Sequence, residues 1–294
     1  MKTEKEIIGV DLGGTNMRAG LVKNGEIIDL ANGLVPKVED PQIVIDILMD
    51  TIRKVMTPQV EGIGIGVPGL VESQTGVVYD IQNIPSWKEV PLKAILTEEF
   101  QVPVFVHNDA SCFASGERYF GEGQHYDDFV GLITGTGCGS GIIKNGHLMQ
   151  DQNCGAGEFG MIPYLHHNYE YYCSGQFFRR EYNISGQKLA ALAMEKDQKA
   201  LEIFEEYGKH LAKVIMAILF SVDPKAIIIG GSVAHSYEYY QKAMHDEIKT
   251  FPYQFVLKKL VIKPSRMKEI AILGAAALYF NALNENTQVS ELNY

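Results

Sequence analysis

Three acidic residues stand where a carboxylate can do chemistry. Asp109 closes the apolar run in Val106-His107-Asn108-Asp109-Ala110. Strand C-termini are where open α/β sheets bind ligands, and a carboxylate placed there can take the proton of a substrate hydroxyl. The same position also suits the cap of a following helix, which either Asp109 or Asn108 can provide. Glu158 lies in Gly155-Ala156-Gly157-Glu158-Phe159-Gly160, a small-residue turn that lets a ligand approach the backbone closely. Glu170 lies among tyrosines, in Tyr169-Glu170-Tyr171-Tyr172. Acceptors among aromatic rings are common at sugar sites, where the rings stack on apolar C–H faces. Taken alone, Glu170 would read as a solvated charge.

The glycines supply the complementary chemistry. The segment from Ile8 to Gly25, with Asp11-Leu12-Gly13-Gly14-Thr15-Asn16, returns as Phe129 to Gly146, with Leu132-Ile133-Thr134-Gly135-Thr136-Gly137. One constant offset pairs Gly14 with Gly135, Thr15 with Thr136, and Lys23-Asn24-Gly25 with Lys144-Asn145-Gly146. Each copy reads as strand, glycine turn, strand and Asn-Gly hairpin turn. The bare N–H groups of such turns form concavities that suit anionic oxygens. Two of them can close on a polyphosphate; the plainer reading is two hairpins that share turn chemistry.

The elements that must position these residues follow from periodicity. Strands are expected at 6–11, 17–23 and 26–36, a helix at 41–56, and strands at 61–67 and 77–80. A helix at 91–100, a buried strand at 104–107 and a helix opening at Asp109 complete the first half. The second half repeats the plan with strands at 127–133 and 139–144, an aromatic segment from Tyr164 to Tyr172, and helices from about 174. The longest helix spans 197–221 and is stopped by Asp223-Pro224. A strand at 226–229 turns at Gly230-Gly231-Ser232 into another helix, and a helix over 270–283 precedes a polar tail. Hairpins followed by alternating helices and strands imply an α/β architecture with mixed sheets, arranged as two similar lobes with a cleft between them. The expected division is residues 1–107, completed by a C-terminal helix at about 273–294, and 108–272.

Composition narrows the class. The chain has 294 residues, with 46% hydrophobic and 21% charged residues, which suits two soluble domains. A net charge of −10 without a basic run disfavours nucleic acid. No apolar run reaches the length of a membrane span, and the charged N-terminus has no signal-peptide core, so a cytoplasmic location is expected. Cys112, Cys138, Cys154 and Cys173 are widely spaced, as reduced and mostly buried thiols would be. The pair His166-His167 is read as solvated.

Taken in order, the motifs resemble the ROK family (repressors, open reading frames and kinases) of the actin, hsp70 and sugar-kinase superfamily, over nearly the whole chain. Asp11 to Arg18 is similar to the family's first phosphate motif, and Thr134 to Gly141 to its second. Gly64-Ile65-Gly66-Val67-Pro68-Gly69, Asn83-Ile84-Pro85-Ser86-Trp87, His107-Asn108-Asp109-Ala110 and Gly155 to Gly160 resemble its sugar-binding, catalytic and signature segments. Gly230-Gly231-Ser232 resembles its adenosine-side turn. The resemblance implies a two-lobed, ribonuclease H-like fold with an interlobe cleft, and an ATP-dependent hexose kinase in which Asp109 deprotonates the acceptor hydroxyl. It implies that Gly69, Asn83, Asn108, Glu158 and Glu170 contact the sugar. Nucleotide contacts would come from Asp11, Gly13, Gly14, Thr15, Asn16 and Arg18, with Thr134, Gly135, Thr136, Gly137, Gly230, Gly231 and Ser232. Mg²⁺ would arrive with ATP and be oriented by Asp11, through water.

One departure stands out. The family signature continues Glu-x-Gly-His, with a histidine that binds zinc and sugar, but here that position is Met161. The zinc segment Cys-x-Cys-Gly-x-x-Gly-Cys is absent too, so a zinc-free member with a remodelled sugar pocket is expected. The acceptor hydroxyl, expected to be the 6-hydroxyl, is left open between glucose and an N-acetylated hexosamine as leading candidates, with mannose, fructose and allose behind them. A homodimer is expected by the same resemblance. Two alternatives compete with the kinase. A ROK-type transcriptional regulator would carry a helix-turn-helix domain before the first motif, which here begins within ten residues of Met1. An ATPase or chaperone lobe would lack the Asn-x-Pro-x-Trp loop.

Overall fold

The computed structural model describes residues 4–81 and 83–291, with side chains to Asn284. Its two sheets are built on one plan. The first hairpin set is β1 (Glu6–Leu12), β2 (Asn16–Lys23) and β3 (Glu26–Leu34), followed by α1 (Pro41–Arg53) and β4 (Val60–Val67). A small sheet of β5 (Leu70–Glu72), β6 (Val77–Tyr79) and β7 (Glu89–Val90) leads to α2 (Leu92–Phe100), β8 (Val104–Asn108) and α3 (Asp109–Tyr119). The main sheet has the order β3-β2-β1-β4-β8, with β1, β4 and β8 parallel.

The second half opens with β9 (Phe129–Thr134), β10 (Cys138–Lys144) and β11 (His147–Leu148). A short ladder of β12 (Pro163–Tyr164) and β13 (His167–Asn168) precedes α4 (Tyr169–Cys173), α5 (Gln176–Tyr182), α6 (Gly186–Met194) and α7 (Gln198–Val222). Then come β14 (Ala226–Gly230), α8 (Tyr237–Ile248), α9 (Gln254–Leu257), β15 (Val261–Pro264) and α10 (Ile270–Glu291). The sheet order is β11-β10-β9-β14-β15, with β9, β14 and β15 parallel, the same plan as the first sheet.

Local chemistry explains the boundaries. Asp40 caps α1 by accepting from Gln42 N, with Pro41 at the first helical position. Asp197 caps α7 through Ala200 N, and the helix ends where Asp223 turns left-handed at φ 43° before Pro224. Both Asn-Gly hairpin turns have two positive φ values, 55° and 80° at Asn24 and Gly25 and 52° and 80° at Asn145 and Gly146. That is the type I′ geometry that matches strand twist. The strands expected to reach 36 and the helix expected to reach 56 are shorter, ending at Leu34 and Arg53.

The chain divides into two compact units. The first comprises residues 1–125, 143–156 and 267–294, and the second 126–142 and 157–266. The first unit thus keeps α3, beyond the crossing expected after residue 107, because α3 packs closely on α10. A Cβ at Gly116 would meet Gly274 Cα at 2.9 Å. The first unit has apolar layers on both faces of its sheet. One, from Ile8, Val10, Ile63, Ile65, Val104 and Val106, packs against α1 and α2 residues such as Leu48 and Leu96. The other lies under α10 and includes Ile7, Ile272 and Phe280. There the helix lies directly on the strands: a Cβ at Gly64 would come 1.8 Å from Ala275 O. In the second unit, the core gathers β9 and β14 around Phe204, Tyr207, Leu211 and Ile215 of α7. Among the described residues, no helix is long and apolar enough to cross a membrane.

Candidate active site

In the first unit, the parallel register aligns the strand ends. Asp11 pairs with Gly66, and Gly66 with His107. The segments that follow therefore emerge along one sheet edge: the Gly13–Thr15 turn, Pro68-Gly69, and Asn108-Asp109. This is the C-terminal edge of parallel strands, where such sheets bind ligands. Gly13 N donates to Asn16 O at 2.8 Å and tightens the first turn. A cavity of about 670 Å³ opens there, lined by Asp11, Gly13, Gly14, Thr15, Asn16 and Arg18, together with Asn32, Gly33 and Leu34 of β3. The last three were missed in the sequence, although the antiparallel pairing of Asn16 with Leu34 is the hairpin signal that brings them in.

Asn83 stands against this turn. A Cβ at Gly14 would lie 2.2 Å from Asn83 Cβ. The Asn83 loop is pinned from below by Ile84 and Trp87, 1% and 0% exposed, with Trp87 Nε1 donating to Pro41 O at 3.3 Å. Gly69, at φ 147°, takes a conformation that side chains resist, and a Cβ there would meet Tyr79 O at 3.3 Å.

The two readings of Asn108-Asp109 resolve locally. Asn108 is the cap: its Oδ1 accepts from Ser111 N at 2.7 Å. Asp109, the first residue of α3, is exposed, and its charge sits favourably at the positive end of the helix. One turn on, burial holds the Cys112 thiol well above its usual pKa, and the charges of Asp109 and Asp11 add to that. Both carboxylates thus lie near one thiol. His107 is held down to about 4 by burial, opposed by Asp151, and is neutral at physiological pH.

The second unit places its glycine turn beside two other glycine segments. Gly135 N donates to Gly137 O at 3.0 Å, and Gly175 N donates to Gly135 O at 2.7 Å. Thr134 points inward: it is fully buried, and its hydroxyl donates to Gly230 O at 3.1 Å, tying β9 to β14. Gly231, at φ 85°, follows at once, and a Cβ there would lie 2.4 Å from Thr134 O. Thr136 and Ser232 are exposed, and the nitrogen of Ser232 lies 3.8 Å from where a Gly135 Cβ would be. The second-half turns at Gly135–Gly137 and Gly230–Ser232 are therefore neighbours, and Gly175 joins them unannounced by the sequence.

Glu158 and Glu170 flank the start of β10. Ser140 Oγ donates to Gly157 O at 2.5 Å, which presses the turn before Glu158 onto the strand. Glu170, in the first turn of α4, accepts from Cys138 N at 3.1 Å. Burial, then the charges of Glu170 and Glu158, push the Cys138 thiol up to about 12. The tyrosines around Glu170 face one another instead of presenting open rings. Tyr164 stacks on Tyr169 at 4.6 Å, and Tyr171 lies between His167 at 3.8 Å and Arg180 at 4.9 Å. The aromatic segment is packing, and the helices begin there at Tyr169, earlier than expected.

The residues present do not fit a zinc ion. Met161 is 58% exposed, and its thioether sulfur, a poor zinc ligand, takes the Asn168 amide at 3.9 Å. Among the described residues, no three His, Cys, Asp or Glu side chains converge to hold a metal.

Comparison with known proteins places this geometry. Residues 7–282 match the sequence model of the ROK family. The chain is 27% identical to a glucokinase of Thermotoga maritima, over 93% of this chain and 96% of that one. It is 31% identical to an N-acetyl-D-glucosamine kinase of Yersinia pseudotuberculosis, over 80% and 86%. It is also 26% identical to a xylose repressor of Bacillus subtilis, over 92% of this chain and 76% of the repressor. Among solved structures, a ROK family glucokinase from Streptomyces griseus, crystallised with glucose and AMPPNP, superposes with a TM-score of 0.76 at 25% identity. The match covers 93% of this chain and 98% of that one. The chain therefore has the α/β fold of the actin-like sugar kinases.

Proposed function

The chain belongs to the ROK family, and on that premise we propose that it is a sugar kinase transferring the γ-phosphate of ATP to a hexose hydroxyl. The acceptor we favour is the 6-hydroxyl of glucose or of an N-acetylated hexosamine. The observation that carries the reading is the contact of Asn83 with Gly14. A side chain suited to a sugar hydroxyl abuts a turn suited to phosphate, on the sheet edge from which Asp109 emerges.

In the proposed reaction, Asp109 accepts the proton of the acceptor hydroxyl. A bond forms from that oxygen to the γ-phosphorus as the bond to the β–γ bridging oxygen breaks, releasing ADP. Gly69, Asn83, Asn108, Glu158 and Glu170 hold the remaining hydroxyls. The backbone of Gly13, Gly14 and Thr15, with Asn16, receives the terminal phosphates from the first unit, and Arg18 lines the same cavity. Gly135, Thr136 and Gly137 receive them from the second. Gly230, Gly231 and Ser232 take the adenosine side, and the Thr134 hydroxyl, spent on Gly230 O, sets the spacing of those turns. Asp11 fits a magnesium ion carried in with the nucleotide: it is partly exposed in the cavity wall, with Oδ2 engaged by Arg18. When bound, the ion neutralises phosphate charge. Most of the acceleration then comes from positioning and charge stabilisation.

A coupled ADP-release assay across glucose, N-acetylglucosamine, N-acetylmannosamine, mannose, fructose and allose tests this. Sugar-dependent ADP release with at least one hexose is expected. Hexose binding without ADP release under any condition would instead favour a sugar-sensing regulator.

A further inference from the structure

Arg18 is held at both ends. It is the direct cross-strand partner of Asp11, and its Nη2 lies 2.8 Å from Asp11 Oδ2. Its Nη1 donates to Glu269 Oε2 at 2.5 Å. Glu269 comes from the far end of the sequence, just after the chain re-enters the first unit at Met267 and just before α10. Glycines bring it there. Gly9 and Gly20, which share the sheet face of Asp11 and Arg18, let α10 lie on the strands: a Cβ at Gly9 would come 2.0 Å from Ile272 O.

Two further features mark Glu269. Its φ is 53°, a left-handed conformation that a glutamate adopts at a cost and a glycine adopts freely. Its carbonyl also starts α10, accepting from Ile272 N and Leu273 N at 3.1 Å each. A glycine would serve that backbone better, yet the side chain there meets an arginine of the cavity wall. The three charges also sum to minus one. With Asp11 alone, Arg18 would be neutralised and free at one end to swing onto incoming phosphate oxygens. With Glu269 as well, it is tethered, and the cluster favours a cation beside the nucleotide over the bare anion.

We propose that Glu269 is a positioning residue that holds Arg18 on Asp11, so that the first glycine turn selects the magnesium-bound nucleotide over the metal-free one. This rests on the kinase reading. The two side chains are partly exposed, 32% for Arg18 and 49% for Glu269, so the effect is the size of one partly screened ion pair. That is about three- to fivefold in binding.

Calorimetric titration with a non-hydrolysable ATP analogue, with excess Mg²⁺ and with a chelator, measures this without turnover. In the wild type the magnesium form binds more tightly than the metal-free form. In Glu269→Gly that preference falls about three- to fivefold, while the melting temperature does not drop, because the strained φ is relieved. Glu269→Gln, which keeps the acceptor and loses the charge, shows a fall of the same sign. An unchanged preference in both variants would overturn the proposal and leave the kinase reading standing. Failure of the wild type to bind nucleotide in either form would overturn both.

Discussion

Adding a single methyl group at Gly14 tests whether the phosphate turn and the Asn83 loop work as one device. A Cβ there would lie 2.2 Å from Asn83 Cβ, 2.9 Å from its Cγ and 3.2 Å from its Nδ2. Carbon atoms rest at about 3.5–4.0 Å, so one of the two segments must move by more than about 1 Å. Neither yields easily. The turn is closed by the Gly13–Asn16 hydrogen bond, and the loop is anchored by buried Ile84 and Trp87. Gly14 has no positive φ, so alanine is acceptable to the backbone and the whole effect is steric. A displacement of that size between reacting groups costs about 100-fold in rate. We expect Gly14→Ala to lower kcat/KM by about two orders of magnitude for sugar and for ATP together, with the fold retained by circular dichroism. In the double variant Gly14→Ala/Asn83→Gly the clash is gone, so the ATP side should recover while sugar KM stays high. A Gly14→Ala enzyme with kcat/KM within about threefold of wild type for both substrates would refute the reasoning.

Other outcomes follow from the same geometry. Glu170→Gln should raise KM for the sugar with little change for ATP, costing about 1–3 kcal/mol in binding, because a sugar hydroxyl is left poorly paired; saturation curves for both substrates decide it, and a change confined to ATP would defeat the assignment. Elemental analysis should find no stoichiometric zinc in the purified protein, the fold should survive a chelator, and activity should vanish without Mg²⁺; about one zinc per chain would contradict the reading of Met161. His107 is held down to about 4 by burial, so between pH 6.5 and 4 the unfolded chain takes up a proton that the folded one refuses. Stability should fall across that window, by up to about 3 kcal/mol, and His107→Gln should flatten the fall in denaturant titrations at successive pH values.

Local chemistry made much of the fold legible. The glycine turns, the Asn24-Gly25 and Asn145-Gly146 hairpins and the Asp223-Pro224 stop are decided by backbone preferences within a few residues, so they read correctly from the chain. Strands of two or three residues, such as β7, β11, β12 and β13, carry no measurable period and went unread. The aromatic segment misled for another reason: composition says that rings are present, not which way they face, and Tyr164, Tyr169 and Tyr171 turned to one another and to His167. Thr134 reads as a loop residue from its motif, but alternation along β9 turns it inward, onto Gly230. The Arg18–Glu269 pair joins residues far apart in sequence, and only the seating of α10 on Gly9 and Gly20 brings them together.

In the proposed reaction, Asp109 takes a proton from a bound hexose as phosphate moves to it. The direct measurement is a single-turnover reaction with γ-labelled ATP and the accepted hexose, comparing wild type with Asp109→Asn and reading labelled sugar phosphate. Equilibrium sugar binding is measured in parallel. We expect labelled sugar phosphate from the wild type, a loss of at least about two orders of magnitude in rate in the variant, and nearly unchanged sugar affinity. A variant that forms sugar phosphate at close to the wild-type rate would contradict the proposed reaction.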